Sequence, residues 1–393
     1  MQPTTTHLAL PFFDTVHRDL GQRLAEWIPQ QHLDESDDRQ ACRAWVKLLG
    51  DQGWLRYCVP AGNGNTLGGT LPRLDSRALV VLRETLAFHS PLADFAFAMQ
   101  GLGSGAITLA GTPAQQAAYL PLVASGKKIA AFALSEADAG SDAGAMVTSA
   151  VLAADGWRIN GCKTWISNGG IADFYVTFVK TDAAAGTRGI TAFIVDAQLP
   201  GLDSSEHIAV MAPHPLATLR FSDCKISTER QLGPLHGGFK LAMQTLDVFR
   251  ASVAGAAVGM ARRALAEAVH YSKQRKMFGQ RLADFQLTQA KLGEMAALVD
   301  AAALLTYRAA WLRDEGERTG KTARVTAEAA MAKMVATENA QRVIDMALQM
   351  HGGLGVKIGT KVESLYRDIR ALRIYEGATE VQQLIIGKAA LQS

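Results

Sequence analysis

Apolar residues recur three and four positions apart through the first third of the chain. This spacing predicts amphipathic helices over residues 39–54 and 76–89. Glycine and proline interrupt the pattern at residues 60–69 and 111–113, where we expect loops. We therefore predict an N-terminal helical domain over residues 1–128.

The period of the pattern changes at about residue 129. Short segments rich in β-branched and aromatic residues follow, with partial alternation of apolar and polar side chains, which predicts strands. Asp155-Gly156 and Asn160-Gly161 are hairpin turn signals. Strands at this spacing favour a small antiparallel barrel or sandwich over residues 129–234. The predicted strands are residues 147–153, 156–161, 173–180, 188–196 and 217–223.

Helical spacing returns at about Phe239 and continues to the end of the chain. Gly255 and Gly259 lie one turn apart in an alanine-rich segment, which allows a neighbouring helix to approach closely. We predict a bundle of about four long helices over residues 235–393. One apolar face of it contains Leu292, Met295, Val299, Ala302, Leu305, Ala309 and Leu312.

Composition excludes several classes of protein. Hydrophobic residues make up 48% and charged residues 20%, which excludes global disorder. The net charge of +3 comes without a basic stripe, so we expect no nucleic-acid partner. The pattern shows no signal peptide and predicts no membrane span. Four scattered cysteines without a CxxC pair are typical of reduced thiols, so we expect a cytoplasmic protein.

Two segments of the strand region could hold a flat or anionic cofactor. Between Phe132 and Asp142, small hydroxyl residues and Gly140 could offer backbone N–H groups to an anion or a polar ring. The same residues would also suit a capping turn. In Gly161–Gly169, Trp165 next to a hydroxyl residue could cover one face of a flat cofactor. The alternative is a core tryptophan before a turn.

Two segments of the C-terminal helical region carry further candidates. Arg275–Gly279, with Phe285 and Gln286 shortly after, could bind a pyrophosphate and an adenine. An ordinary loop between helices is the alternative. The other segment runs from Gln349–Gly353 to Ile374–Gly377. Glu376 lies there among apolar neighbours, where desolvation would raise its pKa as a general base requires, although a helix-end glutamate has the same pattern.

In combination and in this order, the four segments resemble the signatures of the acyl-CoA dehydrogenase family along nearly the whole chain. The signatures are similar to Leu134–Asp142, Lys163–Gly169, Arg275–Gln286 with Gln349–Gly353, and Tyr375–Gly377. Leu246–Arg250 is similar to the segment that contacts substrate in the short-chain branch. The resemblance implies a mainly α fold with an N-terminal helical domain, a central β-barrel and a C-terminal four-helix bundle.

The resemblance also implies site residues. Glu376 would be the catalytic base, and the branch that carries its base at residue 249 is excluded because Phe249 stands there. Substrate contacts would come from Ser141, Asp247, Phe249, Arg250, Tyr375 and Gly377. FAD would be held by Phe132, Leu134, Ser135, Gly140, Ser141, Trp165, Ile166, Ser167, Arg275, Phe278, Phe285, Gln286, Gln349, Met350, Gly352, Gly353, Ala378, Thr379 and Glu380.

The implied reaction is the α,β-dehydrogenation of an acyl-CoA thioester to the trans-2-enoyl-CoA, as in fatty acid metabolism. Glu376 would remove the α proton, and flavin N5 would accept the β hydrogen as hydride. The reduced FAD would pass its electrons to an electron-transferring flavoprotein. Arg275 and Gln349 would reach the FAD of a neighbouring subunit, which implies a homo-oligomer, commonly a homotetramer in this family.

Some positions depart from the family pattern. Ala137 replaces a proline, Ser135 a threonine, and Ala378 a threonine whose flavin contact could shift to Thr379. Residues 207–215 form a shorter loop than usual and lack the Gly-Xaa-Arg stretch near the nucleotide of CoA. A dehydrogenase of acyl groups on a carrier protein is therefore an alternative. A catalytically idle flavoprotein and a flavin monooxygenase of the same fold are others.

Overall fold

A computed structural model describes residues 2–320 and 325–392. The helices are α1 (Thr15–Trp27), α2 (Asp38–Asp51), α3 (Ser76–His89), α4 (Pro91–Ala110), α5 (Pro113–Ala124), α6 (Gly238–Gln274), α7 (Gln286–Thr319), α8 (Thr326–Met350), α9 (Lys361–Leu372) and α10 (Thr379–Ala390). The strands are β1 (Ala130–Ala133), β2 (Ser149–Ala153), β3 (Gly156–Ser167), β4 (Phe174–Lys180), β5 (Ile190–Asp196), β6 (Leu202–His207), β7 (Leu216–Ile226), β8 (Gln231–Leu232), β9 (Lys276–Met277) and β10 (Gln280–Arg281).

The chain divides into two compact units, each built from separate stretches of sequence. The helical unit comprises the residues up to His32, Ser76–Asp94 and the chain from Arg250 onward. The sheet unit comprises Leu33–Asp75 and Phe95–Phe249. The domain boundaries predicted at residues 128 and 234 stay a prediction.

Helix α3 forms the centre of the helical unit, since its residues from Ser76 to Phe88 are all buried. The predicted close approach at Gly255 and Gly259 is confirmed. A Cβ atom at Gly255 would lie 3.0 Å from the carbonyl oxygen of Val80, and one at Gly259 only 2.1 Å from that of Glu84. The absence of a side chain therefore lets α6 pack directly against the backbone of α3.

The prediction of about four long helices in the bundle is wrong in detail. Three helices, α6, α7 and α8, have 37, 34 and 25 residues, whereas α9 and α10 have only 12 each. Glycines with positive φ lie in the segments that separate these helices: Gly352 and Gly359 precede α9, and Gly377 precedes α10. This backbone conformation cannot continue an α-helix, so the chain turns instead.

By length and composition, one helix of the described residues, α7, could cross a membrane. Its predicted apolar face is largely buried, with Met295, Val299, Ala302 and Ala309 all less than 5% exposed. Helix α7 contacts α3 and α8 in the helical unit. A core helix of a bundle explains both its length and its composition.

The sheet unit contains a mixed sheet rather than the predicted barrel. Its strand order is β6-β7-β3-β2-β4-β5-β8, and β1 pairs with β4 in parallel. No pairing among the described residues joins β6 to β8, so the sheet is open. The expectation of a closed, antiparallel barrel was wrong because local strand patterns do not show how the two ends of a sheet meet.

One of the two predicted turns in this sheet is confirmed. Residues 154–155 connect β2 to β3, and Ala153 pairs with Gly156. The other, Asn160-Gly161, lies inside β3 at a register shift and is a bulge. Gly161 has φ +136°, and a Cβ atom there would lie 2.7 Å from Thr148 Cα. A glycine in a strand often marks such a bulge instead of a chain reversal.

The four cysteines are free, as predicted. Cys42, Cys58 and Cys224 are buried, and Cys162 is half-buried.

Candidate active site

A buried lysine joins the two predicted flavin segments of the sheet unit. Lys163 on β3 has no exposed surface, and its Nζ donates to the carbonyl oxygen of Leu134 and to Oε1 of Glu136, each at 2.9 Å. The backbone N–H of Thr164 donates to the carbonyl of Ser135 at 3.1 Å. The segments 134–142 and 163–169 therefore lie side by side, as a shared ligand would require.

The carboxylate of Glu136 extends this arrangement. It accepts hydrogen bonds from the backbone N–H groups of Val147 at 2.7 Å and Thr148 at 3.0 Å. Burial lowers the pKa of Lys163 to about 8, although the neighbouring Glu136 opposes this shift. The pKa of Glu136 is itself held low, since Lys163 and these donors outweigh the effect of burial. Sequence reasoning included both residues in motifs but gave them no role.

Trp165 is presented at the surface of the sheet unit by a second irregularity in β3. A register shift lies between Lys163 and Ile166, and Trp165 has φ +59° and is 57% exposed. Ile166 points into the core at 1% exposure, whereas Ser167 is half-buried. The predicted cofactor contact of Ile166 can therefore come only from its backbone. A large exposed ring on a strained backbone fits a site for a flat ligand.

The predicted loop before Asp142 is open to solvent. Gly140 and Ser141 are exposed, and a Cβ atom at Gly140 would meet nothing within 4 Å. Ser135 is half-buried, while Phe132 and Leu134 are buried. An open loop with a partly exposed hydroxyl beside the Trp165 strand fits the polar edge of a flavin, so the residues present suit FAD.

The predicted adenine and pyrophosphate residues of the helical unit lie on its surface. Arg275 directly follows α6, and β9 and β10 then form a hairpin whose turn is Phe278-Gly279. Phe278 has φ +49° and is 88% exposed. Phe285, half-buried, precedes α7, and Gln286 is its exposed first residue. Among the described residues, nothing covers this arginine or this aromatic ring.

The segment Gln349–Gly353 ends α8 at the same part of the helical unit. Tyr271 near the end of α6 stacks on His351, with ring centroids 4.4 Å apart. This contact places the end of α8 beside the end of α6. Gln349, Gly352 and Gly353 are exposed, and Met350 is half-buried. The structure therefore brings both predicted bundle segments together.

Glu376 lies in the turn between α9 and α10, in the helical unit. Its φ is +53°, and that of Gly377 is +94°. The carbonyl oxygen of Gly377 accepts from Lys333 Nζ and from Gln382 Nε2, both at 2.8 Å. Non-glycine residues rarely adopt this conformation, and it persists only where its surroundings hold it. Two side chains fix the turn that carries the glutamate.

The carboxylate of Glu376 is poised for proton transfer. Its Oε2 atom is buried and has no hydrogen-bond partner within residues 2–320 and 325–392. Burial raises the pKa of Glu376, while the positive charges of Arg83, Arg250 and Lys333 act in the opposite direction. A half-buried glutamate with one buried, unused carboxylate oxygen suits a general base. The candidate base and its raised pKa thus agree with the sequence hypothesis.

A buried ion pair in the helical unit was not predicted. Arg83 on α3 binds Asp94 at the start of α4 through two hydrogen bonds, Nε to Oδ1 at 2.8 Å and Nη2 to Oδ2 at 2.9 Å. Both side chains are under 5% exposed. One signal was present in the sequence, because Arg83 directly follows the apolar run of residues 78–82 in a predicted helix. Nothing in the pattern showed its partner.

Three further predicted cofactor residues follow the base. Ala378 precedes α10 and has no side-chain donor, and Glu380 is exposed. The Thr379 hydroxyl donates to Oε1 of Glu338 at 2.6 Å. Its proton is therefore used within the chain, so the predicted flavin contact of this hydroxyl would have to use its oxygen as an acceptor.

The predicted substrate residues on α6 lie on both sides of a sequence boundary, because the sheet unit ends at Phe249 and the helical unit resumes at Arg250. Phe249 in the sheet unit is buried, and its ring occupies a notch on α4 where Cβ atoms at Gly101 and Gly105 would lie 2.6 and 2.7 Å from it. Asp247 is half-buried, and Arg250 in the helical unit is buried. No carboxylate stands at residue 249, so the alternative position of the base is not available here.

Models of one protein family match the chain in three consecutive stretches. The N-terminal domain of acyl-CoA dehydrogenase matches residues 13–127, the middle domain residues 131–224, and the C-terminal domain residues 236–391. The chain belongs to the acyl-CoA dehydrogenase family. The predicted family is therefore confirmed, with its order of N-terminal helical, middle β and C-terminal helical domains.

Relatives within the family include enzymes named for both directions of the reaction. The 3-(aryl)acrylate reductase of Clostridium sporogenes is 37% identical over 97% of this chain and 100% of its own. The caffeyl-CoA reductase-Etf complex subunit CarC of Acetobacterium woodii is 40% identical over 86% and 87%. The mitochondrial short-chain specific acyl-CoA dehydrogenase of Homo sapiens is 39% identical over 96% and 88%.

Solved structures of this family share the fold. A chain of the structure described as the electron transferring flavoprotein of Acidaminococcus fermentans has a TM-score of 0.90, with 33% identity over 97% of this chain and 99% of that one. Butyryl-CoA dehydrogenase from Megasphaera elsdenii has a TM-score of 0.87, with 33% identity over 96% and 99%. An acyl-CoA dehydrogenase complexed with FAD from Bacillus anthracis has 0.88, with 29% identity over 100% and 71%.

Proposed function

We propose that this protein is an FAD-dependent acyl-CoA dehydrogenase that converts an acyl-CoA thioester to the trans-2-enoyl-CoA. The observation that carries this proposal is Glu376, a half-buried residue whose Oε2 atom is buried and has no hydrogen-bond partner among the described residues, on a turn held by Lys333 and Gln382. The short-chain relative from Homo sapiens and the butyryl-CoA dehydrogenase structure support a short acyl group.

Glu376 performs the proton transfer. The α C–H bond of a thioester is weakly acidic, so its proton leaves only when the enolate charge is stabilised. The backbone N–H of Glu376 has no acceptor among the described residues and can donate to the thioester carbonyl oxygen. The α proton then passes to the Glu376 carboxylate. The burial that raises the pKa of this carboxylate makes it a stronger base once the substrate excludes water.

Several residues of the chain hold the cofactor. FAD, when bound, supplies the acceptor for the β hydrogen. Ser135, Trp165 and Ser167 of the sheet unit suit its flavin ring, since they lie on neighbouring segments joined by Lys163. Arg275 and Phe278 of the helical unit suit the pyrophosphate and adenine of an FAD bound to a neighbouring subunit, because both are exposed.

An electron-transferring flavoprotein is the proposed electron partner. The name of the caffeyl-CoA reductase-Etf complex subunit and the Acidaminococcus structure support this assignment. We also propose a cytoplasmic homotetramer. Support comes from the exposed Arg275 and Phe278, which would bind the FAD of a neighbouring subunit.

The alternatives have less support. An acyl group on a carrier protein is supported only by the short loop at residues 207–215, whereas three of the relatives and structures above are named for CoA thioesters. A catalytically idle flavoprotein would not need Glu376 on a strained turn with an unused oxygen.

The substitution Glu376→Gln tests the proposal. The amide keeps the shape of the side chain but cannot accept the α proton, and Phe249 cannot replace it. We expect the rate of flavin bleaching by butyryl-CoA, under anaerobic conditions, to fall by roughly 10²–10⁴ or more. Binding should still perturb the flavin spectrum. Glu294→Gln, which changes an exposed carboxylate on α7, should keep the full rate. Bleaching of E376Q at nearly the wild-type rate would exclude Glu376 as the base.

A further inference from the structure

The turn that carries Glu376 joins α9 to α10, and its two ends meet at one carboxylate of α8. Glu338 Oε1 accepts hydrogen bonds from Arg373 Nε at 2.8 Å and from the Thr379 hydroxyl at 2.6 Å. Its Oε2 atom lies 2.8 Å from Arg373 Nη2. Arg373 directly follows α9, and Thr379 is the first residue of α10. A single side chain of α8 therefore binds the chain on both sides of the base.

The backbone closes the same turn. The N–H of Thr379 donates to the carbonyl oxygen of Arg373 at 3.1 Å, so residues 373–379 form a short ring. Ala378 stands at the N-cap position of α10, where its side chain cannot accept a hydrogen bond as that of a serine or threonine would. The start of α10 is thus held by a contact between Thr379 and α8 rather than by a cap of its own.

A second side chain of α8 contacts the middle of the turn. Lys333 is fully buried, and its Nζ donates to the carbonyl oxygen of Gly377 at 2.8 Å. Glu338 follows Lys333 by five residues, which is about 7.5 Å along a helix. Helix α8 therefore contacts the turn at both ends and near its centre, and Glu376 lies between these points in the sequence.

Stability alone does not account for the contacts of Glu338. Its side chain is 31% exposed, and that of Arg373 is 30% exposed. Ion pairs that solvent reaches to this extent contribute little to the free energy of unfolding. The pair is nevertheless bidentate, and two parallel hydrogen bonds fix the relative orientation of two groups more firmly than a point charge does. The arrangement therefore supplies a defined position for the turn.

We propose that Glu338 is a positioning residue for the base: it fixes both ends of the turn to α8 and so sets where the Glu376 carboxylate stands. This role rests on the proposed function of Glu376. The backbone supports it, since Glu376 and Gly377 have φ values of +53° and +94°, and a strained conformation persists only where its surroundings hold it. A looser turn would relax, and the carboxylate would move away from the α proton. A displacement of about 1 Å can cost about 10²-fold in rate.

The substitutions Glu338→Gln and Arg373→Met test this role. In E338Q one carboxylate oxygen becomes an amide nitrogen, which cannot accept from Arg373 or Thr379, and in R373M the cation is gone. We expect each variant to lower the rate of anaerobic flavin bleaching at saturating butyryl-CoA by about tenfold or more. The butyryl-CoA concentration that gives half of the maximal rate should stay within about twofold, because substrate binding is not changed. The double variant E338Q/R373M should be no slower than the slower single variant, since both changes break the same contact.

Isotope effects distinguish a displaced base from a damaged flavin site. Deuterium at the α carbon slows proton removal by Glu376, and deuterium at the β carbon slows the loss of hydride to the flavin. When the base is displaced, proton removal limits the rate more strongly. The isotope effect of α-deuterated butyryl-CoA should therefore be at least as large as in the wild type, and that of β-deuterated butyryl-CoA should become smaller. A general loss of packing gives no reason for the two effects to diverge in this way.

Glu363→Gln is the matched control. Glu363 also pairs with an arginine, Arg367, and accepts from the backbone N–H of Gly359, but it lies near the start of α9, whereas the turn follows the end of that helix. E363Q should lower the melting temperature at least as much as E338Q does and should keep the full bleaching rate. Full bleaching rates in E338Q and R373M, an equal slowing in E363Q, or a larger isotope effect at the β carbon would overturn the role of Glu338. If E376Q bleaches at the wild-type rate, the proposed function itself fails, which separates the two results.

Discussion

Lys163→Met should destabilise the sheet unit and weaken its hold on FAD. The change removes the Nζ donor of two 2.9 Å hydrogen bonds and leaves the buried carboxylate of Glu136 without its cation. Removing one partner of a buried ion pair typically costs about 3–5 kcal/mol. For a unit of about 200 residues, each kcal/mol lowers the melting temperature by about 2–4 °C. We therefore expect a loss of roughly 6–20 °C.

The assay combines calorimetry with the FAD content of the purified protein. FAD content should fall, because Lys163 no longer binds the carbonyl oxygen of Leu134 and so no longer fixes the backbone next to Ser135. Arg220→Met is the control, since Arg220 on β7 belongs to the same sheet but forms an exposed pair with Glu206. Such surface pairs contribute little. A melting temperature of K163M within 2 °C of R220M would refute the assigned role of Lys163.

Two further predictions concern the helical unit. Arg275→Ala should lower FAD content and dissociate the oligomer together, measured by absorbance and light scattering. Loss of FAD from an intact oligomer would instead assign Arg275 to the site of its own subunit. Gly259→Ala should lower the melting temperature, because its Cβ would lie 2.1 Å from the Glu84 carbonyl and overpacking typically costs about 1–3 kcal/mol. Gly293→Ala on α7, where a Cβ meets nothing within 4 Å, is the control, and an equal loss there would contradict the explanation.

Periodicity predicted most of the elements but not how they assemble. The helical segments at 39–54 and 76–89 correspond to α2 and α3, and the five predicted strands correspond to β2, β3, β4, β5 and β7. Strands β6 and β8 were missed because one is polar and largely exposed and the other has two residues. Sheet closure depends on contacts between distant strands, which no local pattern contains.

Where one motif carries part of the candidate site, the sequence could indicate it. Glu376, Trp165 and the segments around Ser135 and Arg275 were predicted from motif resemblance, and their roles stay a prediction. Arg83, Asp94 and Lys333 were missed, because each acts through a partner far away in sequence or on another helix. Lys333 contacts the carbonyl of Gly377, 44 residues later. A charged residue at a position that the pattern predicts to be buried needs a partner, but the neighbouring sequence does not identify that partner.

The discontinuity of the two units has a consequence for biosynthesis. The last residue of the sheet unit is Phe249, so this unit can be complete while the helices from Arg250 onward are still being made. Helix α3 emerges early, yet Arg77 binds Asp314 and Glu84 binds Arg262 and Tyr307. Until those residues leave the ribosome, the side chains of α3 that the finished unit buries, charged ones included, stay without their partners. The helical unit can therefore close around α3 only late in synthesis, after Asp314 has been made.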